Sequence, residues 1–152
     1  MKKNLILCPV DFSASTELAI TLAVDLAKAG NSKIILLHVI DTNNPPISIN
    51  VSIDMRLQTR LRKQYLDYHE VDWKFVRKRG DPAETTIAYA KENTVDLIIM
   101  GTQGRTELAN LVVGSIARRV MAGANCPVVT VKTPVNSGAL SLQGSPMPLR
   151  AI

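Results

Sequence analysis

Residues 80–105, GDPAETTIAYAKENTVDLIIMGTQGR, govern how the rest of the chain is read. Gly80-Asp81-Pro82 supplies a turn, a helix cap and a first helical residue whose missing N–H costs nothing, so a helix is expected from there to about Asn93. Residues 95–100 (VDLIIM) are a short apolar run, the profile of a strand buried on both faces. Two glycines, Gly101 and Gly104, then punctuate the exit. A helix feeding an apolar strand is half of a βα repeat.

Working outward, the same alternation recurs. Residues 4–10 (NLILCPV) read as a buried strand. Ser13 and Ser15 are capping candidates for a helix in which Leu18, Leu22 and Leu26, with Ala19, Ala23 and Ala29, recur at helical spacing until Gly30 stops it. Residues 33–40 (KIILLHVI) read as a second buried strand, and residues 41–52, with Asn43, Asn44, Pro45 and Pro46, as a loop. Residues 54–69 return to helix, with Leu57, Leu61, Tyr65 and Tyr68 on one face and Arg56, Arg60 and Lys63 on another. Residues 71–78 interleave charge among Trp73, Phe75 and Val76, as an edge strand should. A helix over residues 115–122 and a strand over 127–131 (PVVTV) close the pattern. Five strands alternating with four helical segments give an α/β fold with a parallel sheet. After Lys132 the composition turns to Pro, Gly and Ser, with Arg150 the only charge. Residues 1–132 are therefore read as one domain. Residues 133–152 are read as a C-terminal tail, expected to pack on a partner subunit.

Composition narrows the function classes. A chain of 152 residues suits one domain, burying roughly 68–70% of its unfolded surface. A hydrophobic share of 46% excludes wholesale disorder. Two Phe, three Tyr and one Trp make the core aliphatic and argue against a β protein built on aromatic ladders. The charge balance, 18 − 13 = +5, favours anionic ligands without specifying one. Cys8 and Cys126 have no CxxC spacing, so they read as small apolar residues in a reducing compartment and argue against structural zinc. The apolar run after Met1-Lys2-Lys3 ends at Asp11, too short for a signal-peptide core. No segment approaches the ~20 apolar residues that span a bilayer, so a cytoplasmic location and no membrane partner are expected. The Asn50-Val51-Ser52 sequon is then accidental.

In an open parallel sheet, ligands bind beyond the carboxyl ends of the strands, where the strand order reverses. Two strand exits carry unusual residues: Pro9-Val10-Asp11-Phe12-Ser13 after the first, and Met100-Gly101-Thr102-Gln103-Gly104-Arg105 after the fourth. Gly101 and Gly104 remove side chains where a ligand approaches the backbone. Gly114 and Ser115 place amide hydrogens and a hydroxyl at a helix N-terminus, which attracts anions. That dipole contributes only about 0.3–1 kcal/mol at an exposed site, so several donors must act together. Neither GxxxxGK[ST] nor GxGxxG occurs. Each residue also has a plainer reading. Asp11 suits capping of the first helix, Ser115 an N-cap, Met100 the core, and His38 a hydrogen-bonded position inside an apolar strand.

Gly101-x2-Gly104-x9-Gly114-Ser115 matches the G-2x-G-9x-G-(S/T) pattern of the ATP-binding branch of the universal stress protein (UspA-like) family. The stretches ILCPVDFS (6–13), LLHVID (36–41), residues 80–105 and GSIARRV…CPVVTVK also resemble that family, in its order. The resemblance covers roughly residues 4–132. It implies a three-layer α/β/α fold around an open twisted five-stranded parallel sheet of order 3-2-1-4-5, Rossmann-like and of the adenine nucleotide alpha hydrolase-like type. It further implies that Pro9, Val10 and Asp11 meet adenosine, with Asp11 accepting from ribose or adenine, and that the main chain of Val39 reads the adenine edge. Met100 and Gly101 would flank the ribose. Gly104, Arg105, Gly114, Ser115 and Ile116 would surround the phosphates. Gln103 stands where many relatives carry His. Glu107, where many carry Gly, adds negative charge nearby.

Hydrolysis of ATP normally needs a held metal, a positioned water and a group to stabilise leaving charge. The sequence offers Asp11 near the sugar and Arg105 as a cation, with no carboxylate cluster and no GxSxG or HExxH motif. The expected ligand is therefore ATP or a related adenine nucleotide, with Mg²⁺ or Mn²⁺ held largely by phosphate oxygens and water. The expected role is a nucleotide-dependent stress-response or regulatory module, with no catalytic residues assigned. The alternative is a slow ATPase or other nucleotide-acting enzyme. A third reading takes Arg56, Arg60, Arg62 and Lys63, with Lys74, Arg77, Lys78 and Arg79, as a nucleic-acid surface. A solvated helix face beside a protected edge strand accounts for those charges better. The last strand, Val128, Val129, Thr130 and Val131, is an apolar sheet edge, and relatives pair it across a two-fold axis, so a homodimer is expected.

Overall fold

The computed structural model describes residues 2–11, 13–44, 51–67, 70–102 and 113–133. Five strands form one sheet: β1 (Leu5–Pro9), β2 (Lys33–Asp41), β3 (Asp72–Gly80), β4 (Leu97–Gly101) and β5 (Val128–Val131). Every pairing is parallel and the order is β3-β2-β1-β4-β5. The chain winds outward from β1 to β3, returns to the middle and winds the other way, so the order reverses between β1 and β4.

The alternation of side chains across the strands divides the core into two layers. Ile6, Cys8, Ile34, Leu36 and Ile99 pack on one face with Ala19, Ile20, Ala23, Val24 and Ala27 of α1 (Ala14–Gly30) and with Leu61 of α2 (Val51–Leu61). Leu7, Ile35, Leu37, Ile98 and Met100 pack on the other, against Ala83, Tyr89 and Ala90 of α3 (Pro82–Glu92) and Ala117 and Val120 of α4 (Ser115–Gly123). This is the three-layer α/β/α arrangement the resemblance implied. Met100 belongs to that apolar layer, as its plainer reading held. After α2 the helix widens into one π-helical turn, Arg62–Leu66.

Local chemistry sets most boundaries. Ser13 caps α1, its side chain accepting from the Thr16 N–H at 3.4 Å. Ser15, the other capping candidate, is instead a buried residue of the first turn. Helix α1 runs through Gly30, and Asn31 ends it in the left-handed conformation (φ 48°), a geometry asparagine tolerates well. Asp81 caps α3 by accepting from the Glu84 N–H at 2.9 Å, and Pro82 follows as the first helical residue. Gly80 closes β3 at φ 148°, and a Cβ there would lie 2.6 Å from Thr85 Oγ1, so only glycine fits the turn. Both guanidinium nitrogens of Arg119 donate to Asp81, at 2.9 and 3.0 Å, fastening α4 to the start of α3.

Edge strand β3 interleaves exposed Lys74, Arg77, Lys78 and Arg79 with half-buried Trp73, Phe75 and Val76, as its charge pattern predicted. On the neighbouring helix Arg60 pairs with Glu17, and Arg62 with Asp67 at 2.8 Å, so part of the basic surface is already neutralised. Cys8 is fully buried in the central strand, and burial pushes its thiol up to about 12. Cys126 is half-buried, its thiol raised first by burial and then by the charge of Asp96. Among the described residues no helix is long and apolar enough to cross a membrane. The side chains of Leu57 and Tyr65, together with Tyr68 and the tail from residue 134, lie outside the described residues.

Candidate functional site

A cleft of about 460 Å³ opens at the carboxyl ends of β1, β2 and β4, across the reversal of strand order. Its existence follows from unequal strand lengths. Strand β1 stops at Pro9, opposite Leu37, whereas β2 continues four residues further to Asp41. The Val10 N–H still donates to the Leu37 carbonyl at 2.9 Å, and its carbonyl is bonded to His38 Nδ1 at 2.9 Å. His38 is thus the hydrogen-bonded strand residue that its plainer reading described. Beyond Val10 the chain turns away into α1, leaving the upper part of β2 without a strand beside it on that side. Main-chain groups of alternate residues face the same side, so the N–H and C=O of Val39 face this gap as those of Leu37 face β1.

Asp11 stands where β1 gives way to α1. One carboxylate oxygen, Oδ1, accepts from the Ser13 N–H at 2.9 Å and from the Thr16 hydroxyl at 2.6 Å. The other, Oδ2, has no protein partner among the described residues. Asp11 therefore does both jobs the sequence allowed: one oxygen braces the first turn of α1 while the residue lines the cleft. Asp41 repeats the device at the end of β2, with Oδ1 accepting from the Asn43 N–H at 2.9 Å.

Across the cleft, Met100 and Gly101 end β4. A Cβ on Gly101 would lie 2.7 Å from Ser15 Cβ and 3.1 Å from the Ser15 carbonyl carbon. The missing side chain of Gly101 thus lets α1 close on β4, a packing role the motif alone did not disclose. Thr102 is fixed at both main-chain groups, donating to the Val131 carbonyl at 2.8 Å and accepting from the Gly114 N–H at 2.6 Å. Its hydroxyl is buried and has no hydrogen-bond partner among the described residues. Gly114 caps α4 without any side-chain hydrogen bond to the first turn, and it places the N-terminus of this helix at the edge of the cleft. The cap is Gly114, and Ser115 is the first helical residue.

Of the residues expected at a site, the cleft brings together Pro9, Val10, Asp11, Val39, Met100, Gly101, Gly114 and Ile116. Ser115 is exposed beside them, on the first turn of α4, but does not line the cleft. Gly104 and Arg105, with Gln103 and Glu107, lie outside the described residues. Sequence reasoning missed Ser15 and Thr16 of α1, Pro82 and Thr86 of α3, and Asp41, Asn44, Thr102 and Ala117. Asp41 had a readable signal: Leu37, Val39 and Asp41 alternate along one face of β2, which continues the lining stripe past the core.

The comparisons with known proteins agree with this architecture. A universal stress protein of Methanocaldococcus jannaschii is 29% identical over 143 residues, covering 85% of this chain and 82% of that protein. The structure of UspA from Lactobacillus plantarum superposes with a TM-score of 0.73 at 25% identity, covering 86% of this chain and 99% of that one. Two more distant structures share the fold. A universal stress protein in complex with cAMP has a TM-score of 0.66 at 20% identity, covering 86% of this chain and 98% of that one. One from Archaeoglobus fulgidus in complex with dAMP has a TM-score of 0.66 at 16%, with the same coverage. The model of the universal stress protein family matches residues 4–132, nearly the whole described fold, and the chain belongs to that family.

Proposed function

We propose that the cleft binds an adenine nucleotide, ATP in its fullest form, and that occupancy alters the contacts this protein makes as a stress-response or regulatory module. The observation that carries the reading is the sequence of groups across the cleft. The main chain of Val39 faces the gap beside β2, Asp11 Oδ2 stands over β1 with no protein partner among the described residues, and the N-terminus of α4 lies beyond β4. Two strand spacings, about 10 Å, separate the first from the last. A nucleotide extends over that scale from base to α-phosphate, and it needs those three chemistries in that order: an edge to read a base, an acceptor for a sugar hydroxyl, and donors for phosphate.

In this reading Val39 contacts the adenine edge, and Pro9, Val10 and Asp11 meet adenosine, with Asp11 Oδ2 accepting from ribose. Met100 and Gly101 flank the sugar. Gly114, Ser115 and Ile116, joined by Gly104 and Arg105, surround the phosphates. Among the described residues no group of three His, Cys, Asp or Glu side chains is placed to hold a metal ion. Mg²⁺ or Mn²⁺ would accordingly travel on the phosphate oxygens with water completing its shell. The complexes of fold relatives with cAMP and dAMP support an adenine nucleotide as the ligand class.

Calorimetric titration of nucleotide-stripped protein with ATP and Mg²⁺, then with AMP and GTP, tests the assignment. Saturable binding of ATP is expected. In Gly114→Val the cap keeps an ordinary backbone geometry (φ −71°), but a branched side chain intrudes at the amides, so affinity should fall at least tenfold. No saturation up to millimolar ATP in the wild-type protein would refute the reading. The same proposal pairs two copies through the outer edge of β5, with residues 133–152 packing on the partner subunit.

A further inference from the structure

Asp11 and Asp41 are built alike. Asp11 follows the end of β1 by two residues and Asp41 ends β2; at each, Oδ1 accepts from the N–H two residues on, at 2.9 Å in both cases, and Oδ2 has no protein partner among the described residues. The turn fixes the plane of the carboxylate, so the second oxygen is a preset acceptor whose orientation costs nothing when a donor arrives. The proposed nucleotide uses Asp11 for its sugar and leaves Asp41 unexplained.

Position assigns Asp41 a task. Leu37, Val39 and Asp41 follow one another along the same face of β2, each about 7 Å beyond the last. Leu37 is fully buried, Val39 half-buried, and Asp41 half-buried at the mouth. A flat group whose edge meets the Val39 main chain therefore lies one two-residue step from a carboxylate. What a carboxylate accepts there is an N–H donor on the rim of that flat group. A carbonyl oxygen in the same place would face a negative charge with no proton between them.

We infer that Asp41 selects the base, its Oδ2 accepting from the exocyclic 6-amino group of a purine and disfavouring a 6-oxo group. This rests on the nucleotide reading of the cleft and deepens it by naming the residue that sets the base. A site that hydrogen-bonds a substrate group rejects the analogue lacking it because its own polar atom is left unpaired.

The test compares ATP with ITP, which differ only in the 6-substituent and, through it, the proton on N1. The expected result is ATP bound at least tenfold more tightly than ITP by the wild-type protein. Asp41→Asn keeps an oxygen for the Asn43 N–H and places an NH₂ where Oδ2 was. In that variant ATP should weaken by about tenfold and ITP should bind as well as or better than before, so that the preference closes or inverts. Equal affinities in the wild-type protein would overturn the inference without recourse to any variant. An unchanged ATP/ITP ratio in a folded Asp41→Asn protein, its thermal unfolding matching wild type, would overturn it too and transfer the selection to Val39. Failure of the wild-type protein to bind either nucleotide would overturn the nucleotide reading itself, a result distinct from the other two.

Discussion

The buried hydroxyl of Thr102 has no hydrogen-bond partner among the described residues. A buried polar atom left unpartnered costs on the order of 1–3 kcal/mol. Thr102→Val keeps the branched shape and removes that atom, so it should raise unfolding free energy by about 1 kcal/mol in a denaturant titration. A loss of stability would mean the hydroxyl has a partner after all. Gly101 behaves oppositely. Ala at this position drives a methyl against Ser15 Cβ and main chain, which are part of a helix turn and cannot swing aside. Overpacking of that kind costs about 1–3 kcal/mol, and the same titration should report it. At this scale the sequence was half legible. Asp11 and Gly101 stood out by type and place, and both roles of Asp11 were readable, yet the packing role of Gly101 was invisible. Gly101 accommodates Ser15, 86 positions earlier (101 − 15 = 86). Contacts of that range are made by folding, not by spacing.

At the scale of elements, Asp81 joins two helices. It caps α3 and receives both arms of Arg119 from α4, so two walls of the cleft, Pro82 and Ala117, hang from one carboxylate. The Arg119 hydrogen bond, and then that of the Glu84 N–H, hold the Asp81 carboxyl below the ordinary carboxylate range. A depressed folded-state titration stabilises the protein above the unfolded carboxylate's pKa, about 4, and that contribution disappears as pH falls through the lower folded value. Arg119→Ala should therefore lower Tm at neutral pH, and the gap from wild type should shrink as the solution is acidified below about pH 4. A gap independent of pH would show that Arg119 acts by packing alone. Asp81→Ala loses the cap as well, about 1 kcal/mol, and should be the more damaging change. Elements themselves were read well from sequence because buried parallel strands are continuous apolar runs and helices carry their own period. The errors were local. Asn31 rather than Gly30 ends α1, since either residue tolerates the left-handed turn and the helix simply took one more residue. Extension of β2 through Asp41 was missed because a charged residue after an apolar run looks like a loop, although here it is the rim of the cleft.

For the whole molecule, the sheet has two unlike edges. Strand β3 is long, charged and discouraging to a neighbour; β5 is four residues long, and the side chain of Val129 is 37% exposed on it. If copies pair through β5, Val129→Lys should convert a dimer into a monomer in sedimentation or light scattering, while a dimer that persists would place the interface elsewhere. The order of the sheet was legible only through resemblance, since alternating elements fit several parallel topologies. The cleft was foreseeable in place, at the reversal of strand order, but its depth depends on β2 outrunning β1 by four residues.

The two thiols offer a clock for motions of different size. Cys8 sits fully buried in the central strand beneath α1, protonated and out of reach of any reagent. Cys126 waits half-covered just before the edge strand. An alkylating agent should consume Cys126 at a rate set by small breathing of that edge, and Cys8 only at the rate at which the entire sheet comes apart. Labelling one protein sample over time would separate the loosening of its rim from the collapse of its centre, and bound ligand would slow the second hand of the clock more than the first.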